Sequence, residues 1–212
     1  MKIEFAYDPE KDVENFIKTL KSTTDQSLTN FHKQYIEEQG ENFDPDNVKS
    51  FILGHLSGVN VLEVVSKIED EWRPIEQGFI ERCEKIFGIK YPLEKISAYL
   101  TTNNRCSYNT KGNYFFVYLH NKKSNNPSIM HEIFHFYTYY TFYEELMWKS
   151  VSREKYEDIK ESLTELLNLE FSDLMNGATD WGYPQHQEKR AKVRSIWISG
   201  KNINKVVNEL IN

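Results

Sequence analysis

Between Pro127 and Phe142 the chain carries Ile129, Met130, Ile133, Phe134, Phe136, Tyr137, Tyr140 and Phe142, so a helix formed here is apolar or aromatic on nearly every side. A helix of that kind has to be buried. Within the same run stand His131, Glu132 and His135, and burying two imidazoles and a carboxylate without partners is expensive. Any fold of this chain must therefore bury the segment and give its polar groups something to bind. Asn125-Asn126-Pro127 provides the start: an N-cap candidate followed by proline where its missing N–H costs nothing.

The spacing suggests what the partner is. In His131-Glu132-Ile133-Phe134-His135 the two histidines are one helical turn apart on one face, with side chains about 5–6 Å apart at Cβ. Two imidazole nitrogens can then converge on one ion. Glu132 lies about 100° round the helix from His131, so it need not ligate and can reach a water instead. Catalytic zinc takes three protein ligands and keeps a fourth position for water, whose pKa falls toward about 7. With 6 His in 212 residues, composition alone gives roughly 0.02 chance matches to H-E-x-x-H. A metal centre is the expected reading, against a pair of hydrogen-bonded core histidines.

Composition sets the class. Hydrophobic residues make up 39% and charged residues 27% of the 212, as in an ordinary globular protein of one domain, or one domain with a subdomain. The aromatic content of 14% is high and clusters around residues 107 to 148, where it can build a thick core or a substrate groove. The net charge of −6 offers no basic field for a nucleic acid or an anionic membrane surface. Met1-Lys2-Ile3-Glu4-Phe5 does not read as a signal peptide, and no run approaches the length of a membrane span. Cys83 and Cys106 stand far apart and outside any C-x-x-C pattern, which fits reduced thiols and a cytoplasmic location.

Along the chain, residues 2–6 read as a short strand. Helices are expected at about 9–22, 27–40 and 44–56, and a longer helical stretch at 60–87, bent or broken by Pro74. Residues 1–90 are thus a mostly helical N-terminal region whose isolated His32 and His55 read as packing or surface residues. From 91 to 121 the pattern turns to β: Lys95–Thr101, Cys106–Tyr108 and Tyr114–Leu119, separated by Asn103-Asn104 and Lys111-Gly112-Asn113. These form a small mixed or antiparallel sheet, and an exposed edge strand there could pair with an extended peptide. A second strong helix is expected at 153–176, with Tyr156, Ile159, Leu163, Leu166, Leu167 and Leu174 on one face and Glu154, Asp158, Glu161 and Glu165 on the other. One or two terminal helices complete a region 91–212, or a single compact domain overall. The fold class expected is α+β.

H-E-x-x-H followed by acidic residues on a second helix resembles the zincin metallopeptidases, in the branch whose third zinc ligand is a glutamate. The branch with a third histidine is set aside, because Thr138 and Thr141 stand where its glycine and histidine would be. The resemblance implies a zincin-like fold with the sheet packed on the H-E-x-x-H helix, a Zn2+ cofactor, and hydrolysis of a peptide or protein substrate with Glu132 as general base. It places His131, His135 and Glu161 as ligands, with Glu165 orienting a histidine or replacing Glu161. Glu154, 19 residues beyond His135, has the linear spacing nearest the aminopeptidase pattern but lacks its context. Asp180 is a further alternative, because Gly177, Asp180 and Tyr183 partly match the aspartate-ligand motif G-T-x-D-x-x-Y-G, from which Ala178 and Pro184 depart. Whichever acid ligates, Tyr183 or His186 would supply a donor to the oxyanion. The resemblance is firm over five residues and loose over about 60, and residues 1–90 lie outside it. The alternative from another class is a metal-stabilised regulatory or binding protein, in which four protein ligands would close the site.

Overall fold

The computed structural model describes residues 1–22, 28–41, 43–121 and 124–211. The elements run β1 (Lys2–Tyr7), α1 (Pro9–Ser22), α2 (Asn30–Gln39), α3 (Pro45–His55), α4 (Val61–Phe87), β2 (Lys95–Thr101), β3 (Tyr108–Asn109), β4 (Tyr114–Tyr118), α5 (Asn126–Trp148), α6 (Arg153–Leu163), α7 (Glu165–Glu170), α8 (Gln187–Gly200) and α9 (Ile203–Ile211). The protein is α+β, and its first 87 residues are mostly helical. Residue 27, where the second helix was expected to begin, lies outside the described residues.

By its contacts the chain groups into two compact units, each discontinuous in sequence. One comprises Met1–Lys2, Trp72–Glu94 and Asn126–Asn212, and the other Ile3–Glu71 and Lys95–Asn125. Residues 1–90 and 91–212 thus each contribute to both units. The sheet belongs to the second unit and α5 to the first.

In the sheet-bearing unit the strand order is β1-β2-β4-β3. β2 and β4 pair in parallel, with Tyr99 opposite Phe116, while β3 pairs antiparallel to β4, with Tyr108 opposite Phe115. The sheet is mixed. β4 is an interior strand, with Tyr114 to Val117 all buried, as suits a strand covered on both faces. The edge strands of this sheet are β1 and β3, with β3 pairing with Tyr114 and Phe115 of β4. Asp12 ties α1 to the end of β2: its Oδ1 accepts from Thr101 Oγ1 at 2.5 Å and from the Thr102 amide at 2.9 Å. The helix starts follow local chemistry. Asp44 caps α3 ahead of Pro45, and Thr29 and His32 form a reciprocal cap on α2.

α4 spans the expected stretch and is not broken at Pro74, so the proline's missing donor is absorbed within the helix instead of ending it. Another helix differs from the sequence pattern. The helix expected at 153–176 is divided at Thr164 and stops at Glu170. Thr164 is drawn into polar contacts with Arg190 and Asp180, far along the chain, and these side-chain bonds compete with helical pairing.

In the other unit α5 is packed among rings from several elements. Phe134 meets Phe87 at 4.8 Å between centroids and Phe171 at 6.2 Å, and Tyr91 meets Tyr137 at 5.5 Å. Ile129, Met130, Ile133, Phe134, Phe136 and Tyr137 are fully buried. That packing fixes the rotation of α5, and hence the direction its histidines face.

Candidate metal centre

His131 and His135 come from successive turns of α5, their ring centroids 4.4 Å apart and their planes at 80°. Glu161, from the last turn of α6, completes the group. Its Oε2 lies 3.6 Å from His131 Nε2 and its Oε1 lies 3.4 Å from His135 Nε2. One ligand atom from each of the three residues lies within 4.8 Å of the others, so together they could hold a metal ion. Donors about 2 Å from one ion lie at most about 4 Å apart, a condition that the two Glu161–histidine separations meet.

The surroundings fit a cation. Glu132 is 6% exposed, and its Oε2 is buried with no hydrogen-bond partner among the described residues. Glu161 Oε2 is in the same condition. Buried carboxylate oxygens of this kind are costly unless something positive or protic meets them. Burial pushes Glu132 up to about 7. It also pushes His135 down to about 3, helped by the charges of Lys160 and His131. For His131 burial acts in the same direction, but the hydrogen bond to Asp180 and the Glu161 carboxylate outweigh it and hold the ring up at about 10. Glu161 is held far below the usual carboxylate range, because the histidines and Lys160 outweigh its burial.

His131 is also held from its other side. Nδ1 donates to Asp180 Oδ2 at 2.6 Å, which fixes the tautomer and turns Nε2 toward Glu161. Asp180 is itself locked. Its Oδ1 lies 3.0 Å from Arg190 Nη1, and its carbonyl accepts from Arg190 Nη2 at 2.6 Å and from Asn168 Nδ2 at 2.8 Å. Its amide donates to Asn168 Oδ1 at 2.9 Å. Arg190 is 2% exposed and also pairs with Glu165 at 2.9 Å. Gly182, at φ +60°, lets the 178–183 segment close over this arginine, since a Cβ there would lie 2.7 Å from Nη1.

The other candidates fall into place around this geometry. Glu165 serves Arg190 and Arg194 and is not grouped with the histidines. Asp180 meets His131 at Nδ1, the nitrogen turned away from Glu161. Glu154 is exposed in the first turn of α6. His186 is buried, with Nδ1 3.5 Å from Asp158 Oδ1, and Tyr183 is 53% exposed, its ring centroid 6.0 Å from that of His186 and its plane at 77° to it. Sequence reasoning missed Arg190, Asn168, Thr164 and Lys160. Lys160, beside Glu161 on what reads as a solvated face, is 4% exposed. A polar residue inside the helical period was its only signal.

No protein-family profile, curated protein or solved structure matches this chain. Among the described residues no helix is long and apolar enough to cross a membrane, and no disulfide joins Cys83 and Cys106.

Proposed function

We propose that the chain is a zinc-dependent metallopeptidase, of zincin type with glutamate as third ligand, acting on a peptide or protein substrate. The observation that supports this most is the grouping of His131, His135 and Glu161 within 4.8 Å of one another, with the buried, partnerless Oε2 of Glu132 nearby. Three candidate ligands, with no fourth His, Cys, Asp or Glu grouped with them among the described residues, favour a catalytic centre over a closed structural one.

His131, His135 and Glu161 would hold the ion, which when bound supplies a Lewis acid for the scissile carbonyl and acidifies a water. Glu132 takes the proton of the attacking water and returns it to the leaving amine. Asp180 keeps the His131 ring in the tautomer that frees Nε2. Tyr183 and His186 stand as oxyanion donors on the strength of the resemblance alone.

The test is Glu132→Gln. The variant is expected to retain zinc while hydrolysis of a peptide library falls about 10²–10⁴-fold. Hydrolysis at the parental rate would overturn the proposal.

A further inference from the structure

Along α8, Gln187, Arg190, Ala191, Arg194, Ser195 and Ile198 recur at intervals of three and four, the spacing of one helical face. That face lines an open groove of about 490 Å³, together with Glu165, Asn168 and residues 179–181. The volume suits a small ligand or a few residues of peptide. Trp181 is 78% and Ile198 67% exposed, so two large apolar side chains flank one opening. Apolar surface gathered in this way marks recognition sites, where single exposed side chains do not.

The backbone that carries Trp181 is pinned. Gln187 Nε2 donates to the Trp181 carbonyl at 2.7 Å, and the preceding residue, Asp180, is held by Asn168 at its amide and by Asn168 and Arg190 at its carbonyl. An anchor ordered before its partner arrives loses less freedom on binding. The charges in the groove are unequally available. Glu165 and Asp180 are buried and paired with arginines, and Arg190 is buried with them. Arg194 also pairs with Glu165, yet its side chain is 49% exposed. What the groove offers to solvent is therefore a guanidinium with a tryptophan and an isoleucine, and arginine and tryptophan are the side chains that most often anchor bound peptides and proteins.

Resting on the peptidase reading above, we propose that this groove docks a stretch of the substrate in which an acidic residue adjoins an apolar one. The carboxylate pairs with Arg194, and the apolar side chain lies against Trp181 and Ile198. Asp180 lines the groove and accepts from His131 Nδ1 at 2.6 Å, so a peptide held there lies beside the metal centre.

The test uses capped alanine-based peptides, one with a central Glu-Leu and a twin with Gln-Leu. Binding is read on the Glu132→Gln protein, which leaves the peptide intact, as the change in tryptophan emission that disappears when Trp181→Phe is added. The Glu-Leu peptide is expected to bind about tenfold more tightly than its twin at low salt, with the advantage shrinking as salt is added. Arg194→Gln in the same background is expected to remove the advantage. Equal binding of the twins, or an emission change that persists without Trp181, would overturn the proposal. The twins compared on the Glu132→Gln protein alone decide the matter should R194Q fail to fold. A parent that hydrolyses a peptide library with no preference for adjacent acidic and apolar residues defeats the groove and leaves the peptidase standing. A protein that binds the Glu-Leu peptide at Trp181, while the parent hydrolyses neither it nor the library, defeats the peptidase and leaves the groove as a peptide site.

Discussion

At the scale of single residues, the site is organised by what faces each nitrogen of His131. Nε2 looks to Glu161, and Nδ1 is fixed on Asp180, whose own partners Arg190 and Asn168 are in place before any ion arrives. A carboxylate that orients a ligating histidine is commonly worth 10–100-fold in metal affinity. Asp180→Asn is therefore expected to weaken zinc binding about 10–100-fold, measured by chelator competition, with the fold retained by circular dichroism. Unchanged affinity would mean that the Asp180 contact does not orient the ligand. The histidine pair and Glu132 are legible in the sequence because one helix carries all three and its periodicity sets their directions. Glu161 is legible as one of several acids on the next helix, and the choice among them is made by which acid the turn of α6 aims at α5. Arg190 and Asn168 reach Asp180 across 10 and 12 residues through loop geometry, which leaves no periodic trace.

At the scale of elements, local rules carry furthest where an element is self-contained. α1, α3, β2 and β4 lie close to where their caps and periods put them, because Asp44-Pro45 and alternating apolar residues act over a few positions. They fail where a distant partner intervenes, as at Thr164. The cap on α2 yields a pH prediction. His32 Nδ1 lies 2.7 Å from Thr29 Oγ1, the ring stacks on Phe16 at 4.7 Å, and burial pushes its pKa down to about 4. In the unfolded chain the imidazole titrates near about 6.5. Between these values the unfolded state binds more protons, so stability is full above about 6.5 and falls as the pH drops toward 4. His32→Gln keeps a capping partner at that position without a titrating group. Thermal midpoints of the variant measured from pH 7 to pH 4 are expected to decline less than the parent's. Parallel curves would show that His32 does not set this dependence.

At the scale of the whole molecule, the candidate metal centre lies within one compact unit, drawing on α5, α6, α8 and the segment around Asp180. An ion bound there would join two stretches of chain, α5 and α6, so binding and folding are linked. Free zinc at about 100 times its dissociation constant is expected to stabilise the protein by about 2.7 kcal/mol, read as a rise in thermal midpoint that a chelator reverses. His135→Ala should abolish the rise. A zinc-dependent shift that persists in that variant would place the binding elsewhere.

The central claim is that two histidines of α5 and one glutamate of α6 hold a single divalent ion. Elemental analysis of protein purified without added metal, run side by side on the parent and on His135→Ala, tests it most directly. One zinc per chain is expected in the parent and none in the variant. A parent free of zinc that takes none up on dialysis against it, or a variant that keeps a full equivalent, would contradict it.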